Sequence, residues 1–310
     1  MSTPEHAEGG RLRDGRDRRI DLGGPVHYVD FGGRADGPTF VLVHGLGGSH
    51  LNWELFAPLL TPTGRVVALD LPGFGLSEPG ERPATVPANV RVLESFLQRV
   101  VDGPAVLVGN SMGGMIAILL AVRAPELVRG LVLLDPALPL PLRAARPRNA
   151  AVGAAFLGYA LPGVGERLMH ARRRRVGPRE LVRAMLVLCG VDPAAMPPDL
   201  VARSVALVAQ RGDVAGMDRA FLSASRSLAW VLTFARSYRS AMSAVTTPVL
   251  LVHGERDRLV PVAAARDAAR RHPSWRYAEL AGVGHVPQLQ VPDRLAGIVL
   301  GWLPATARSG

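Results

Sequence analysis

Gly109-Asn110-Ser111-Met112-Gly113-Gly114 follows an apolar run at 105–108 and precedes a helical pattern at 112–123. The order is strand, sharp turn, helix, with a glycine two residues to either side of a serine. A side chain displayed on such a turn takes an unfavourable backbone conformation, and neighbouring Cβ atoms would collide with it. Glycine at both flanks removes those atoms. The turn also sets Ser111 at a helix N-terminus, where free N–H groups favour developing negative charge. Ser111 is therefore the candidate nucleophile.

Working outward, the same texture repeats. Continuous apolar runs at 39–43, 65–69, 131–134 and 249–252 end at His44-Gly45, Asp70, Asp135 and His253-Gly254. Such runs mark strands covered on both faces. A last strand is expected at 275–280, and a hairpin at 19–22 and 26–31 turns through Gly23-Gly24-Pro25. Helical patterns at 52–60, 88–101, 262–271 and 293–302 lie between the runs. Strands alternating with helices predict a mostly parallel α/β sheet. Chemistry in such sheets gathers beyond the carboxyl ends of the strands, where the glycines and polar residues stand.

A serine hydroxyl needs a base. His285, in Gly282-Val283-Gly284-His285, falls between the last strand and the last helix and is the choice among eight histidines. His44 and His253 read as loop-bracing residues, and His6, His27, His50, His170 and His272 have no comparable setting. The base needs a carboxylate to fix its tautomer. Asp257, after the run at 249–252, is preferred; Asp135 is the rival on the same edge and Glu255 a weaker third. The order Ser, Asp, His holds with either aspartate. An acyl-transfer intermediate needs two preset N–H donors. Met112 supplies one, and Leu46, in His44-Gly45-Leu46-Gly47-Gly48, is expected to supply the other.

The glycine stretches at 45–50 and 73–78 lack the last glycine of a dinucleotide fingerprint, and no P-loop, H-E-x-x-H or paired-cysteine metal site occurs. No cofactor or metal is implied. The lone Cys189 excludes an internal disulfide framework and points to a reducing, cytoplasmic setting. Residues 1–18 are charged, lack the apolar core of a secretory signal and are expected to form a disordered tail. The net charge of +10 is all arginine. It is concentrated at 137–244, which holds 16 arginines against 6 acids, while the remainder balances at 20 against 20. A high overall charge is thus local to one segment, and no nucleic-acid partner is implied.

HGLGG at 44–48, DLPGFGLS at 70–77, GNSMGG at 109–114, HGERD at 253–257 and GVGH at 282–285 together resemble the α/β-hydrolase fold family. The resemblance spans 20–305. It implies an eight-stranded, mostly parallel sheet with helices on both faces and an inserted helical lid. It implies a core at 19–137 and 245–306 and a lid at 138–244. It also implies a Ser111–Asp257–His285 triad, an oxyanion hole from the N–H groups of Leu46 and Met112, and no cofactor. Ester hydrolysis on a small apolar or amphipathic acyl substrate is the expected activity. GNSMGG also resembles hydrolases that cleave C–C bonds of ring-fission products, although Val286 follows His285 where those enzymes usually carry tryptophan. A poorly catalytic ligand receptor on the same fold is the third reading. Ser111 counts against the dehalogenase and epoxide hydrolase branches, which use an aspartate nucleophile.

Within the lid, helices are expected at 150–161, 180–188, 200–209 and 218–228. Phe156 and Tyr159 are the candidate lining of an acyl pocket, and Arg172–Arg175 a candidate weak contact for anionic membrane.

Overall fold

The computed structural model describes residues 15–141, 158–159 and 161–303. Eight strands form one sheet: β1 (Arg16–Asp21), β2 (Pro25–Gly32), β3 (Phe40–Val43), β4 (Val66–Leu69), β5 (Ala105–Asn110), β6 (Val128–Leu134), β7 (Val249–Gly254) and β8 (Arg276–Leu280). Their order is β1-β2-β4-β3-β5-β6-β7-β8. β1 pairs antiparallel with β2, and β2 antiparallel with β4; every other pairing is parallel. The chain runs from β3 outward to β4, then crosses back to β5 on the other side of β3. The loops after β3 and β5 therefore open into one crevice at the carboxyl edge.

Alternation along the buried strands divides the core into two layers. Val41, Val43, Val67, Leu69 and Leu107 face one side with helices α2 (Val86–Val100) and α3 (Met112–Arg123). Phe40, Leu42, Val66, Ala68 and Val108 face the other, against α1 (Ala57–Leu60) and the C-terminal helix. Because every β3, β4, β5 and β7 residue is buried, both faces must be apolar, which is why these strands read as unbroken runs.

Between β6 and β7 the chain forms α4 (Val164–Arg175), α5 (Pro178–Leu188), α6 (Pro198–Gly212), α7 (Met217–Thr233) and α8 (Ala235–Ala244). After β7 come α9 (Val262–Arg271), α10 (Pro287–Gln290) and α11 (Pro292–Trp302). Two boundaries differ from expectation. β1 begins at Arg16, inside the expected tail of 1–18, with Arg16 opposite Asp30 of β2. Its residues are almost all exposed and charged, so no apolar period marks it; pairing with β2 orders it, Ile20 packs on the core, and charge protects the sheet edge. The helix expected at 52–60 is a 3-10 turn, His50–Trp53, followed by the short α1. Phe156 and most of the helix expected at 150–161 lie outside the described residues.

Candidate active site

Ser111 stands between β5 and α3 with φ 54° and ψ −117°, a backbone conformation that side-chain-bearing residues rarely hold. The glycines around it have no room for a side chain. A Cβ on Gly113 would lie 2.1 Å from the Val43 carbonyl oxygen, and one on Gly109 would lie 2.6 Å from that of Gly113. A Cβ on Gly45 would sit 2.9 Å from Cβ of Ser111. The elbow is tied down from both sides: Ser111 N–H donates to Leu134 O at 3.0 Å, and Ala137 N–H donates to Ser111 O at 2.9 Å.

Beside it, Gly48 N–H donates to Gly45 O at 3.0 Å, closing a turn with Gly47 at φ 77°. Leu46 occupies that turn, and Met112 opens α3. Among the described residues no acceptor takes the N–H of either. His44 fixes this loop. Burial holds its imidazole down to about 4, so it is neutral. Its Nε2 accepts from Leu71 N–H at 3.1 Å, leaving Nδ1–H to donate to Gly45 O at 2.7 Å.

On the far side, His285 Nδ1 and Asp257 Oδ2 are 2.7 Å apart. Oδ1 of Asp257 accepts from the N–H groups of Leu259 at 2.7 Å and Val260 at 3.0 Å. Burial pushes the Asp257 carboxyl up, but the charge and hydrogen bond of His285 outweigh it and hold the group below the usual range. An ionised Asp257 makes Nδ1 of His285 the donor, and the ring turns Nε2 away from the carboxylate. The backbone around the ring is pinned as well. His285 N–H donates to Cys189 O at 2.8 Å, and Asn110, next to Ser111, donates from Nδ2 to His285 O at 3.0 Å. Gln290 accepts from Gly284 N–H and donates to Gly190 O, each at 2.7 Å.

Ser111, Asp257 and His285 line one cavity of about 1330 Å³, roofed by α4 to α8. The rings and carboxylate are thus brought to the same space, and Asn110 links the serine and histidine loops directly. No hydrogen bond joins the Ser111 hydroxyl to the His285 ring among the described residues. Such contacts are often long until a substrate is bound.

The rival Asp135 is fully buried at φ 44° and accepts from Gly254 N–H at 2.8 Å. Burial first and the Asp257 charge second raise its carboxyl well above the usual range, so it is neutral. It does not touch His285. His253 lies between them, 3.6 Å from Asp135 and 3.5 Å from Asp257, yet its Nε2 donates to Val260 O at 2.9 Å. With that nitrogen protonated, the imidazole atom that faces the two carboxylates carries no lone pair for a metal. Glu255 is exposed and only caps Gly282 N–H.

Three features were not legible from the chain. His27 and His50 converge on Asp70, each Nδ1 at 2.8 Å from Oδ2, with His50 N–H on Oδ1 at 2.6 Å. Burial pushes Asp70 up, but His50 and His27 pull it far below the ordinary carboxylate range. The anion accepts from both imidazoles and from Leu76 N–H, bracing the loop 70–77. Only a buried acid at a strand end hinted at it. Second, among the described residues the cavity is lined by Phe221 and not by Tyr159, which packs edge-on against Phe221 at 5.6 Å. Third, Arg211 lines the cavity.

A family model described as alpha/beta hydrolase fold matches residues 38–292. A pimeloyl-[acyl-carrier protein] methyl ester esterase of Aromatoleum aromaticum is 31% identical over 269 residues, which is 84% of this chain and 96% of that one. A 2-hydroxy-6-oxononadienedioate/2-hydroxy-6-oxononatrienedioate hydrolase of Cupriavidus pinatubonensis is 28% identical over 246 residues, covering 76% of each chain. Among solved structures, Cfl2 of Burkholderia cenocepacia has a TM-score of 0.78 at 25% identity, with 97% of this chain and 100% of that chain covered.

Proposed function

The chain belongs to the alpha/beta hydrolase fold family, and from that membership we propose that it is a serine hydrolase cleaving a carboxylic ester through an acyl-enzyme on Ser111. The observation that carries the reading is the strained Ser111 elbow, held by glycines, sharing a cavity with the hydrogen-bonded His285–Asp257 pair.

Each residue then has one task. His285 Nε2 takes the hydroxyl proton as Ser111 Oγ bonds to the ester carbonyl carbon. The oxygen gains negative charge and is met by the N–H groups of Leu46 and Met112, already oriented by the His44-braced turn and the start of α3. Asp257 keeps the Nδ1–H tautomer and stabilises the imidazolium. His285 returns the proton to the leaving alkoxide, and the alcohol departs. A water then loses a proton to His285 and attacks the acyl carbon, releasing the acid and restoring Ser111.

A second reading, hydrolysis of a C–C bond in a vinylogous diketo acid, is favoured by the similarity to the Cupriavidus enzyme. A fluorophosphonate probe tests the shared nucleophile: labelling of the wild type that disappears in Ser111→Ala is expected. Turnover of short p-nitrophenyl esters against a diketo acid separates the two reactions. Failure to label while the protein is folded would reject both and leave the ligand-receptor reading.

A further inference from the structure

Among the described residues that line the cavity, one arginine has a buried guanidinium nitrogen with no partner. Arg211, in the last turn of α6, donates from Nη2 to Gly73 O at 3.0 Å. That is its single hydrogen bond among the described residues: its Nε is buried and unpartnered, and no carboxylate lies within ion-pairing distance of the guanidinium. Two turns earlier on the same helix, Arg203 shows the ordinary arrangement, paired with Glu54 and Asp199. Burial pulls the Arg211 guanidinium down, while Asp70 and Asp218 support its charge only through space. Asp70 itself is already claimed by two imidazoles.

The position is defined by ring contacts. The guanidinium carbon stands 5.6 Å from the centroid of Phe74, and Phe74 meets His44 edge-on at 5.5 Å. His44 leads into Gly45, whose Cα is packed against Ser111. Arg211 therefore shares the cavity with Ser111, braced on the Phe74 ring. The reacting carbonyl is left to the N–H groups of Leu46 and Met112, so the charge of Arg211 meets a second group of a bound substrate.

An arginine in a largely apolar cavity, with one hydrogen bond among the described residues and a buried, unpartnered Nε, is a costly arrangement unless an anion completes it. The planar fork matches a carboxylate or phosphate through two parallel hydrogen bonds. We infer that Arg211 is a specificity residue, and that the physiological substrate is an ester bearing an oxyanion, carboxylate or phosphate, in addition to its scissile bond. This rests on the ester-hydrolase reading above. It narrows the substrate class from apolar acyl esters to anionic amphiphiles.

The test compares matched esters that end in a methyl group, a carboxylate or a phosphate monoester. The anion is placed on the acyl side in one set and the alcohol side in another. Wild-type enzyme is expected to favour at least one anionic set over its neutral match by tenfold or more in kcat/KM. Arg211→Gln is expected to bring that ratio near one, and Arg211→Lys to restore part of it. A variant damaged only structurally lowers both rates together and leaves the ratio unchanged. The carboxylate and phosphate arms identify which oxyanion is taken. Absence of any anionic preference, or a preference that survives Arg211→Gln, overturns the inference. If no ester is turned over, the hydrolase reading has failed and the inference is read separately. Calorimetry of dicarboxylates and alkyl phosphates with Ser111→Ala should then show binding that weakens at least tenfold when Arg211→Gln is added. Equal binding by the two proteins, or none by either, overturns it.

Discussion

Two carboxyl groups, Asp135 and Asp257, stand at neighbouring strand ends, and replacing each by asparagine separates their roles. One ligand atom from each of them and from His253 falls within a 4.8 Å cluster. Two buried carboxyls this close do not both ionise. Asp257 keeps the charge because His285 and two N–H groups hold it; Asp135 stays neutral because burial and that neighbouring charge raise it. Asparagine at 135 resembles a neutral aspartic acid in shape and still offers Oδ1 to Gly254 N–H. Asp135→Asn should leave kcat/KM for an ester within about threefold, the non-special range of a tolerated isostere. Asp257→Asn removes the acceptor that fixes the His285 tautomer and should cost on the order of 10⁴ in kcat. Stability gives a second readout. Folded Asp135 keeps its proton while the unfolded chain releases it near a pKa of about 3.9. Wild-type stability therefore falls, relative to Asp135→Asn, by about 1.4 kcal/mol for each pH unit above that value. The loss ends when pH reaches the raised folded pKa. Urea unfolding of both proteins between about pH 5 and pH 8, beside ester kinetics, measures both effects. A stability gap that is flat with pH, or an Asp135→Asn variant as inactive as Asp257→Asn, would refute the assignment.

Other substitutions probe the remaining parts. Ser111→Ala should lower ester kcat by about 10⁵-fold or more while leaving the fold intact, checked by turnover and circular dichroism. Gly113→Ala drives a Cβ to 2.1 Å from Val43 O and should cost about 3 kcal/mol or prevent folding, read from denaturant midpoints. Folded His44 resists protonation, so stability present above pH 6.5 is lost as pH falls from 6.5 to about 4. That loss amounts to about 3 kcal/mol, and His44→Asn should remove this share of the acid slope in unfolding curves. Gln290→Leu breaks both bridges of the His285 loop and should lower kcat more than it changes KM, since it misplaces the base rather than the substrate.

Legibility in the sequence follows the range of the forces involved. The sheet could be read because each buried strand must be apolar on both faces and must end in the polar or glycine residues of the active edge. Ser111 could be read because its backbone conformation demands Gly109 and Gly113 within a few positions. Asp257 and His285 followed from their place after the last two strands. β1 could not be read, since its charged residues are ordered through pairing with β2 and carry no apolar period. The His27–Asp70–His50 cluster was equally hidden: its members come from three loops and strands, and none has a local signature.

The cavity wall was the least legible part, and the contacts explain why. Helices α5 and α6 are amphipathic, but their inner faces divide between the cavity and a small apolar cluster with Leu51, Val286 and Leu289, so periodicity identifies the face without saying what it meets. The same helical segment also reaches the chemistry. Cys189 at the end of α5 gives its carbonyl to His285 N–H, and a Cβ on Gly284 would strike that oxygen at 2.3 Å. The Cys189 thiol, pushed up to about 12 by burial, takes no part; its backbone does. The glycine before His285 is therefore required by the helices over the site as much as by its own loop. A segment that both lines the cavity and holds the His285 backbone joins the two: displacing α5 should change the cavity and move His285 together.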